Sequence, residues 1–189
     1  MKKVLVTTAF TLAMAVSAQA ATLSFLPDYD SITVGETISV DVEISGLESV
    51  DLAGFDLDVS FDDSVLDFTG YTLYDELGAI PADAWDLSNG DDGFGTINLA
   101  EMSWLWDLSG QSDSFTLATL TFEGLEVGCS DLTFTYADLS DDWGDVITID
   151  SLGDGSVDVN PVPLPGAVWL LGSGLAGLVG LKRRKTSLA

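Results

Sequence analysis

The charged side chains of this 189-residue chain are segregated by sign. All 31 acidic residues lie between Asp28 and Asp158, and the six basic residues lie outside that range: Lys2, Lys3, Lys182, Arg183, Arg184 and Lys185. The middle of the chain therefore has no lysine, arginine or histidine, and its side chains cannot form an ion pair. A fold made from this middle has to keep its carboxylates apart on the surface, where salt or divalent cations screen their repulsion.

This composition excludes several classes of function. Without cations to contact phosphates, the middle segment is not expected to bind nucleic acid. A histidine-based catalytic triad, a Schiff-base lysine and a histidine-ligated zinc site are excluded because the residues they need are missing. Two carboxylates could serve a glycosidase, but the sequence singles out no pair, and we expect no enzyme activity.

The first 20 residues are organised like a secretory signal peptide. Two lysines precede an apolar stretch at residues 4–16, and Ala18-Gln19-Ala20 supplies the small residues that a signal peptidase reads. We therefore expect cleavage before Ala21. A membrane anchor or a buried helix is the alternative, but the apolar stretch is short for a span.

Residues 21–160 alternate apolar and polar side chains with a period of two, which indicates half-buried β-strands. The clearest runs lie at residues 38–44 and 55–61, and turns rich in glycine or acidic residues separate the runs. The parity changes between Leu117 and Leu120, which predicts a β-bulge near Ala118 or a strand covered on both faces. About nine short strands with one apolar face each predict an all-β sandwich.

Three tryptophans are candidates for a ligand platform. Trp85 lies in residues 74–92, which we interpret as a long loop because the segment is irregular and contains Pro81 and Gly90. Trp104 and Trp106 are two residues apart, so in a strand they project from the same face. On an exposed face they would bind sugar rings or another protein, whereas the large apolar area of tryptophan favours the core.

Acidic residues crowd one loop-like stretch near the end of the middle segment: Asp138, Asp141, Asp142 and Asp145. Calcium takes several carboxylate and carbonyl oxygens in flexible geometry, so this stretch is a candidate calcium site. Its spacing does not match an EF-hand loop, and chance clustering is expected in so acidic a chain. The single cysteine, Cys129, cannot close a disulfide within the chain, and we interpret it as a small buried residue.

Residues 161–189 form a tail of three parts. Pro161, Pro163 and Pro165 make a stiff spacer, residues 166–181 carry no charge, and a basic cluster at residues 182–185 follows. The stretch from Leu164 to Leu181 is about the minimum for a helix that crosses a bilayer. The basic cluster then lies in the cytoplasm, and the acidic domain lies outside it. A plain single-span anchor without a specific partner is the alternative.

The same tail resembles the PEP-CTERM sorting signal. Val162-Pro163-Leu164-Pro165 matches the VPLPA subtype, with Gly166 where the subtype usually has alanine. The resemblance implies cutting near this motif by an exosortase- or archaeosortase-type protease of the inner membrane. Lys182 to Lys185 would be the cytoplasmic stop. The resemblance also implies that the protein stays in the membrane transiently and is then attached to the surface or released, often in bacteria that make exopolysaccharide.

Residues 31–40, 53–62 and 115–122 resemble a cohesin-type domain, and the resemblance spans about Thr22 to Val159. It implies a jelly-roll β-sandwich that binds another module through a face made of strands, as cohesins bind dockerins in cellulosomes.

These observations predict a signal peptide at 1–20, an acidic cohesin-like β-sandwich at 21–160 and a sorting tail at 161–189. We expect a non-catalytic surface or extracellular-matrix protein that binds another extracellular protein or a polysaccharide. The alternatives are a carbohydrate-binding module and a calcium-stabilised structural domain of a biofilm matrix.

Overall fold

The middle segment folds into two stacked β-sheets. A computed structural model describes residues 21–48, 50–163, 166 and 170–176. Within these residues there is a 3₁₀ turn at Asp75–Leu77, and there are twelve strands: β1 (Ala21–Leu26), β2 (Tyr29–Thr33), β3 (Thr37–Ser45), β4 (Leu52–Ser60), β5 (Leu66–Leu73), β6 (Ala84–Asp86), β7 (Gly90–Asp91), β8 (Thr96–Ser103), β9 (Ser114–Gly124), β10 (Gly128–Asp141), β11 (Ile149–Leu152) and β12 (Gly155–Asn160).

Successive strands alternate between the two sheets, except that β6, β7 and β8 all belong to the larger sheet. One sheet has the order β11-β1-β3-β9-β5, and the other has the order β2-β12-β10-β4-β8-β6 with β7 paired to β8. Neighbouring strands are antiparallel, except that β1 runs parallel to β11 and β12 runs parallel to β2. This arrangement confirms the predicted jelly-roll β-sandwich, although the strands number more than nine because several are very short.

The core lies between the sheets because each long strand buries every second side chain. In β3, Ile38, Val40, Val42 and Ile44 are buried, and the polar residues between them face outward. Each such side chain contributes roughly 1.5–3 kcal/mol on leaving water. Aromatic rings join the two sheets, as where Phe25 of β1 stacks on Phe134 of β10 with ring centroids 4.4 Å apart.

The parity change in β9 is a β-bulge. Val42 of β3 pairs with Ala118, and the next residue, Glu43, pairs with Thr116, so that Leu117 is an extra residue. Leu117 and Ala118 are both buried as a result. The predicted bulge near Ala118 is confirmed, and it allows Phe115 and Phe122 to face the same core despite their opposite parity.

The interpretation of residues 74–92 as one long loop is wrong in part. The segment contains the 3₁₀ turn and the strands β6 and β7, both of which pair with β8. Strands of three and two residues are too short to display a period-two pattern, so pairing with β8 and not local alternation defines them. This pairing fixes the position of Trp85.

The tail leaves the sandwich directly after β12. Pro161, Val162 and Pro163 are exposed, and residues 170–176 are helical. Within the part of the chain that the structure describes, no helix is both long enough and apolar enough to span a membrane. The predicted span at 164–181 lies largely outside the described residues, and the basic stop and the signal peptide lie wholly outside them.

Candidate binding face

Four strands of the larger sheet carry outward side chains in register, and we call the outer surface of β10, β4, β8 and β6 the β10–β6 face. Its first row consists of Ser140, Gly54, Met102 and Trp85, which pair in that order from strand to strand. Directly opposite residues point to the same side of a sheet. With strands about 4.8 Å apart, the row is about 14 Å long.

A hollow of about 290 Å³ opens on this face. It exists because Gly54, Ala100 and Ser140 are small, which leaves the sheet surface bare where three strands pass. A Cβ at position 54 would enter this space and lie 2.9 Å from Oγ of Ser140. Longer side chains from the face and from the β6–β7 connection line the hollow: Asp56, Asp138, Asn98, Asn89, Met102 and Leu87.

Two carboxylates stand directly opposite each other beside the hollow, Asp138 on β10 and Asp56 on β4. Like charges in this position destabilise a sheet. The middle of the chain supplies no cationic side chain to offset them. Their field also acts on Tyr136, whose pKa is raised first by the charge of Asp138 and, after burial, by those of Asp56 and Asp58.

Asn98 donates to two of the carboxylates of this face. Its side-chain amide donates to Oδ1 of Asp56 at 2.8 Å and to Oδ1 of Asp58 at 2.9 Å. Its own Oδ1 accepts the backbone N–H and the side-chain amide of Asn89 at 3.1 and 3.0 Å. Both amide hydrogens of Asn98 are therefore used within the face, and the carboxylates offer their remaining lone pairs to solvent.

Trp85 and Trp104 form an aromatic corner at the β6 end of the face. Their ring centroids are 4.0 Å apart and their planes meet at 74°. The two side chains are 48% and 47% exposed, and Trp106 is fully exposed. The preference for a buried Trp104 and Trp106 is therefore wrong, because β8 ends at Ser103 and its alternation does not continue through them.

One carboxyl group lies on the opposite, inner side of β8. Glu101 shares the strand parity of Ile97 and Leu99, pairs with Phe55 and Asp86, and is 2% exposed. Within the described residues neither of its carboxylate oxygens has a hydrogen-bond partner. Burial and then the charge of Asp86 raise the pKa of Glu101 from 4.5 to about 7. Sequence reasoning missed this residue, although an acidic residue at an inward strand position was an available signal.

The four candidate calcium ligands are distributed over a strand and a turn. Asp138 belongs to β10 beside the hollow, whereas Oδ1 of Asp141 accepts the backbone N–H groups of Trp143 and Asp145 at 2.9 and 2.8 Å. These bonds close the turn that also contains Asp142. Among the described residues, no three or more histidine, cysteine or acidic side chains are grouped to hold a metal ion. Calcium binding here stays a prediction.

Cys129 is exposed on β10, so its interpretation as a buried residue is wrong. The register with β12 turns Ser130 inward instead, where it is fully buried. A hydrogen bond to the Asp158 carboxylate, together with some burial and the charge of that carboxylate, raises the pKa of the Cys129 thiol. The thiol is therefore held in its protonated, unreactive form.

The residues predicted for processing lie at or beyond the ends of the sandwich. β1 begins at Ala21, which is buried and donates its N–H to the Thr148 carbonyl at 2.9 Å. Ala18 and Ala20 lie outside the described residues, so cleavage before Ala21 stays a prediction. At the other end, Val162, Pro163 and Gly166 are exposed, and Leu164 and Pro165 lie outside the described residues.

Comparison with known proteins decides the nature of the tail. Residues 161–185 match the family described as the PEP-CTERM protein-sorting motif. The chain carries a PEP-CTERM sorting signal. This signal indicates an exported protein that passes through the membrane on its way to the cell surface. No curated protein sequence matches the chain.

Solved cohesin structures share the fold of the sandwich. The cohesin CaCohA2 of Clostridium acetobutylicum is 21% identical, with a TM-score of 0.60 over 76% of this chain and 92% of that one. The OlpC cohesin of Clostridium thermocellum, solved in a type I cohesin–dockerin complex, is 13% identical, with a TM-score of 0.64 over 76% and 95%. A cohesin module from a Clostridium perfringens family 33 glycoside hydrolase is 14% identical, with a TM-score of 0.57 over 76% and 97%. The cohesin-like fold is thereby confirmed.

Proposed function

We propose that this chain is a non-catalytic surface or extracellular-matrix protein that binds another extracellular protein through its β10–β6 face. One observation carries the proposal: the aromatic corner of Trp85 and Trp104 lies exposed beside Met102 and the hollow at Gly54. Exposed apolar patches with polar surroundings mark interaction sites. Tryptophan is enriched among the residues that dominate binding energy at protein interfaces.

The similarity to cohesins supports a protein as the partner. The OlpC cohesin was solved in complex with a dockerin, which shows that this type of sandwich can present a protein-binding surface. For the present chain the partner need not be a dockerin, because the identity of 13% does not carry over individual contacts.

A binding role also agrees with the chemistry of the middle segment. It has no histidine, lysine or arginine to act as a base, an acid or a nucleophile. Glu101 has a raised pKa but lies between the sheets, whereas a glycosidase acid has to reach a substrate in a cleft.

The sorting step would follow export. We infer that an exosortase-type protease of the inner membrane cuts the tail near Val162–Gly166 while the helix lies in the membrane and residues 182–185 lie in the cytoplasm. The exposed Pro161, Val162 and Pro163 support this proposal, because a protease needs an extended and accessible segment. The mature sandwich is then free to reach the surface or the matrix.

Fractionation of the producing bacterium tests the sorting step. A full-length protein with an internal tag is expressed in a strain that has the sorting protease and in a strain that lacks it. We expect surface-associated or extracellular protein without its tail in the first strain, and uncut protein in the inner membrane of the second. Uncut protein in the inner membrane of both strains would reject the sorting step.

Polysaccharide binding is the second candidate function, and the exposure of Trp85, Trp104 and Trp106 favours it. Indole rings stack on sugar rings, and matrix polysaccharide is an accessible ligand for a surface protein. A glycan array probed with the protein and with a variant that has alanine at all three positions tests the idea. Binding that survives the triple substitution would reject this mechanism.

A further inference from the structure

The carboxylates around the hollow of the β10–β6 face offer acceptors to a ligand, and the amide donors beside them are already engaged. The amide of Asn98 is used by Asp56 and Asp58, and the amide of Asn89 donates to Asn98. The hydroxyl of Ser140 points toward the Gly54 carbonyl. A ligand group that donates several hydrogen bonds therefore matches the carboxylates around the hollow.

At one point of this surface, carboxylates lie side by side with no positive charge to offset them. Asp138 and Asp56 are directly opposite neighbours on adjacent strands, with Asp58 on the same face two residues away from Asp56. A sheet tolerates such a pair at a cost in stability, which the amide of Asn98 offsets at Asp56 alone. A local rule broken with so little compensation is typical of a functional site. A cation that comes with the partner would remove the repulsion.

The cation is better supplied by an organic group than by a metal ion. In the described part of the chain, no three acidic, histidine or cysteine side chains converge as metal ligands do. Oxygens that are spread across two strands suit a wider group with several N–H donors. A guanidinium has five such donors in one plane and can bridge two carboxylates.

The aromatic corner offers a guanidinium a second contact on the same face. Trp85 follows Met102 and Gly54 along one row, so the indoles lie within a short distance of the hollow. Their planes meet at 74° and do not form a flat platform two rings wide. A guanidinium or the apolar stem that carries it packs well against an indole face, and the negative surroundings strengthen that contact.

We propose that the partner is a polypeptide that inserts an arginine side chain into the hollow between Asp56 and Asp138, beside the Trp85–Trp104 corner. This inference rests on the proposed function, since it names the chemistry by which the β10–β6 face recognises its protein partner.

Two small probes that differ in charge test the proposal. The full chain in a polyoxyethylene detergent is titrated with N-acetyl-arginine amide and with N-acetyl-citrulline amide, which has nearly the same shape and no charge. The indole N–H signals of Trp85 and Trp104 are followed by NMR, and Trp143, exposed in the turn after β10, is the internal control. We expect the arginine probe to shift the first two signals with a dissociation constant at least about 10-fold lower than that of the citrulline probe.

Matched charge variants separate a specific site from general attraction. D138N should weaken arginine binding about 10-fold, whereas E43Q removes the same charge from the outer surface of β3 and should leave it unchanged. Equal binding of the two probes would overturn the proposal, and so would equal effects of the two variants or a shift of Trp143 as large as that of Trp85. A shift of Trp85 and Trp104 by sugar oligomers but not by arginine would overturn it in favour of polysaccharide. The proposed function fails by a different result, namely when no protein contacts this face in the cell.

Discussion

The outer surfaces of the two sheets differ although the same strand alternation produces both. In the five-stranded sheet, the outward residues of the central strands β3 and β9 are serines, threonines and carboxylates that satisfy one another, as where Thr119 donates to Asp41. The β10–β6 face instead exposes Trp85, Met102 and Tyr136, and Met102 lines its hollow. Alternation thus decides which residues face outward, and the choice of those residues distinguishes a polar surface from one that exposes aromatic and apolar side chains.

The inner surfaces differ at the same place. The core side of β3 is entirely apolar, whereas that of β8 carries Glu101 beneath the aromatic corner. Asp86, which pairs with Glu101, accepts the Tyr71 hydroxyl from the opposite sheet at 2.9 Å. The β6–β8 end of the sandwich therefore departs from the ordinary pattern on both sides, which supports the view that it is built for more than stability.

The largest effect is expected from the aromatic corner. The double substitution Trp85→Ala and Trp104→Ala should cost about 4 kcal/mol of binding energy, because it removes one contiguous aromatic contact of the kind that dominates protein interfaces, where truncation costs about 2–8 kcal/mol. The measurement is the apparent affinity of the purified full chain for extracellular matrix of the producing bacterium, before and after protease treatment of the matrix.

Thr121→Ala, on the outer surface of β9, is the matched control and should leave the affinity unchanged. If the control variant weakened binding as much as the double tryptophan variant, the contrast between the two surfaces would be lost. If protease treatment of the matrix left binding intact, a polysaccharide and not a protein would be the ligand.

Glu101 should give the next largest effect, on stability. Because its pKa is raised from 4.5 to about 7, the folded protein binds this proton more tightly than the unfolded chain does. The contribution of Glu101 to the free energy of unfolding is therefore greatest below pH 4.5 and decreases as the pH rises to about 7. Glu101→Gln should remove this decrease, so that the variant gains up to about 3 kcal/mol over the wild type at pH 8 and little at pH 4.

Denaturant unfolding at the two pH values measures this difference. Glu43→Gln, which alters an outward carboxylate of β3, controls for the loss of net charge and should change the free energy of unfolding little at either pH. Parallel pH dependences for the wild type and Glu101→Gln would contradict the burial of an unpaired carboxyl group.

A smaller effect is expected from filling the hollow. Gly54→Ala adds a Cβ at 2.9 Å from the Ser140 Oγ, a side-chain atom that can rotate away, so the free energy of unfolding should change by less than about 1 kcal/mol. Affinity for the matrix should fall by about 5-fold, because the hollow loses the space that a ligand group would occupy. Gly110→Ala, where a Cβ meets nothing within 4 Å, is the control. If the two variants bound the matrix with equal affinity, the hollow would have no role in binding.

The smallest effect concerns an exposed carboxylate that contrasts with Glu101. Hydrogen bonds from the hydroxyl and the backbone N–H of Ser64 lower the pKa of Asp62. Ser64→Ala should return this pKa toward its ordinary value. The stability that this bond adds at neutral pH is lost in the wild type as the pH falls through the lowered pKa. A carboxyl-detected NMR titration that gave the same pKa in both proteins would contradict this cause.

The sequence predicts the features that depend on neighbours along the chain. Alternation at residues 38–44 indicates a strand, and the parity change before Leu120 indicates the bulge, because the apolar residues of both belong to one core. The order of prolines, uncharged residues and basic residues indicates the sorting tail, which the matching family confirms. Each of these signals is local.

The sequence does not predict the β10–β6 face, because its members meet through strand register. Ser140, Gly54, Met102 and Trp85 come from four separate segments, and only the pairing of their strands makes a row of them. The exposure of Cys129 is not predictable from the sequence for the same reason, since the register with β12 decides that Ser130 and not Cys129 turns inward. Tryptophan is buried on average because it is large, but β8 ends at Ser103 and the strand does not hold the tryptophans after it in the core.

Photo-cross-linking from the two outer surfaces in the producing bacterium shows which of the two surfaces contacts an extracellular protein. A photoreactive amino acid replaces Met102 in one full-length variant and Thr121 in another, so that each probe reports on one sheet. We expect a covalent adduct with an extracellular protein from position 102 and none from position 121, and Trp104→Ala should reduce the adduct. An adduct from position 121 without one from position 102 would contradict this expectation.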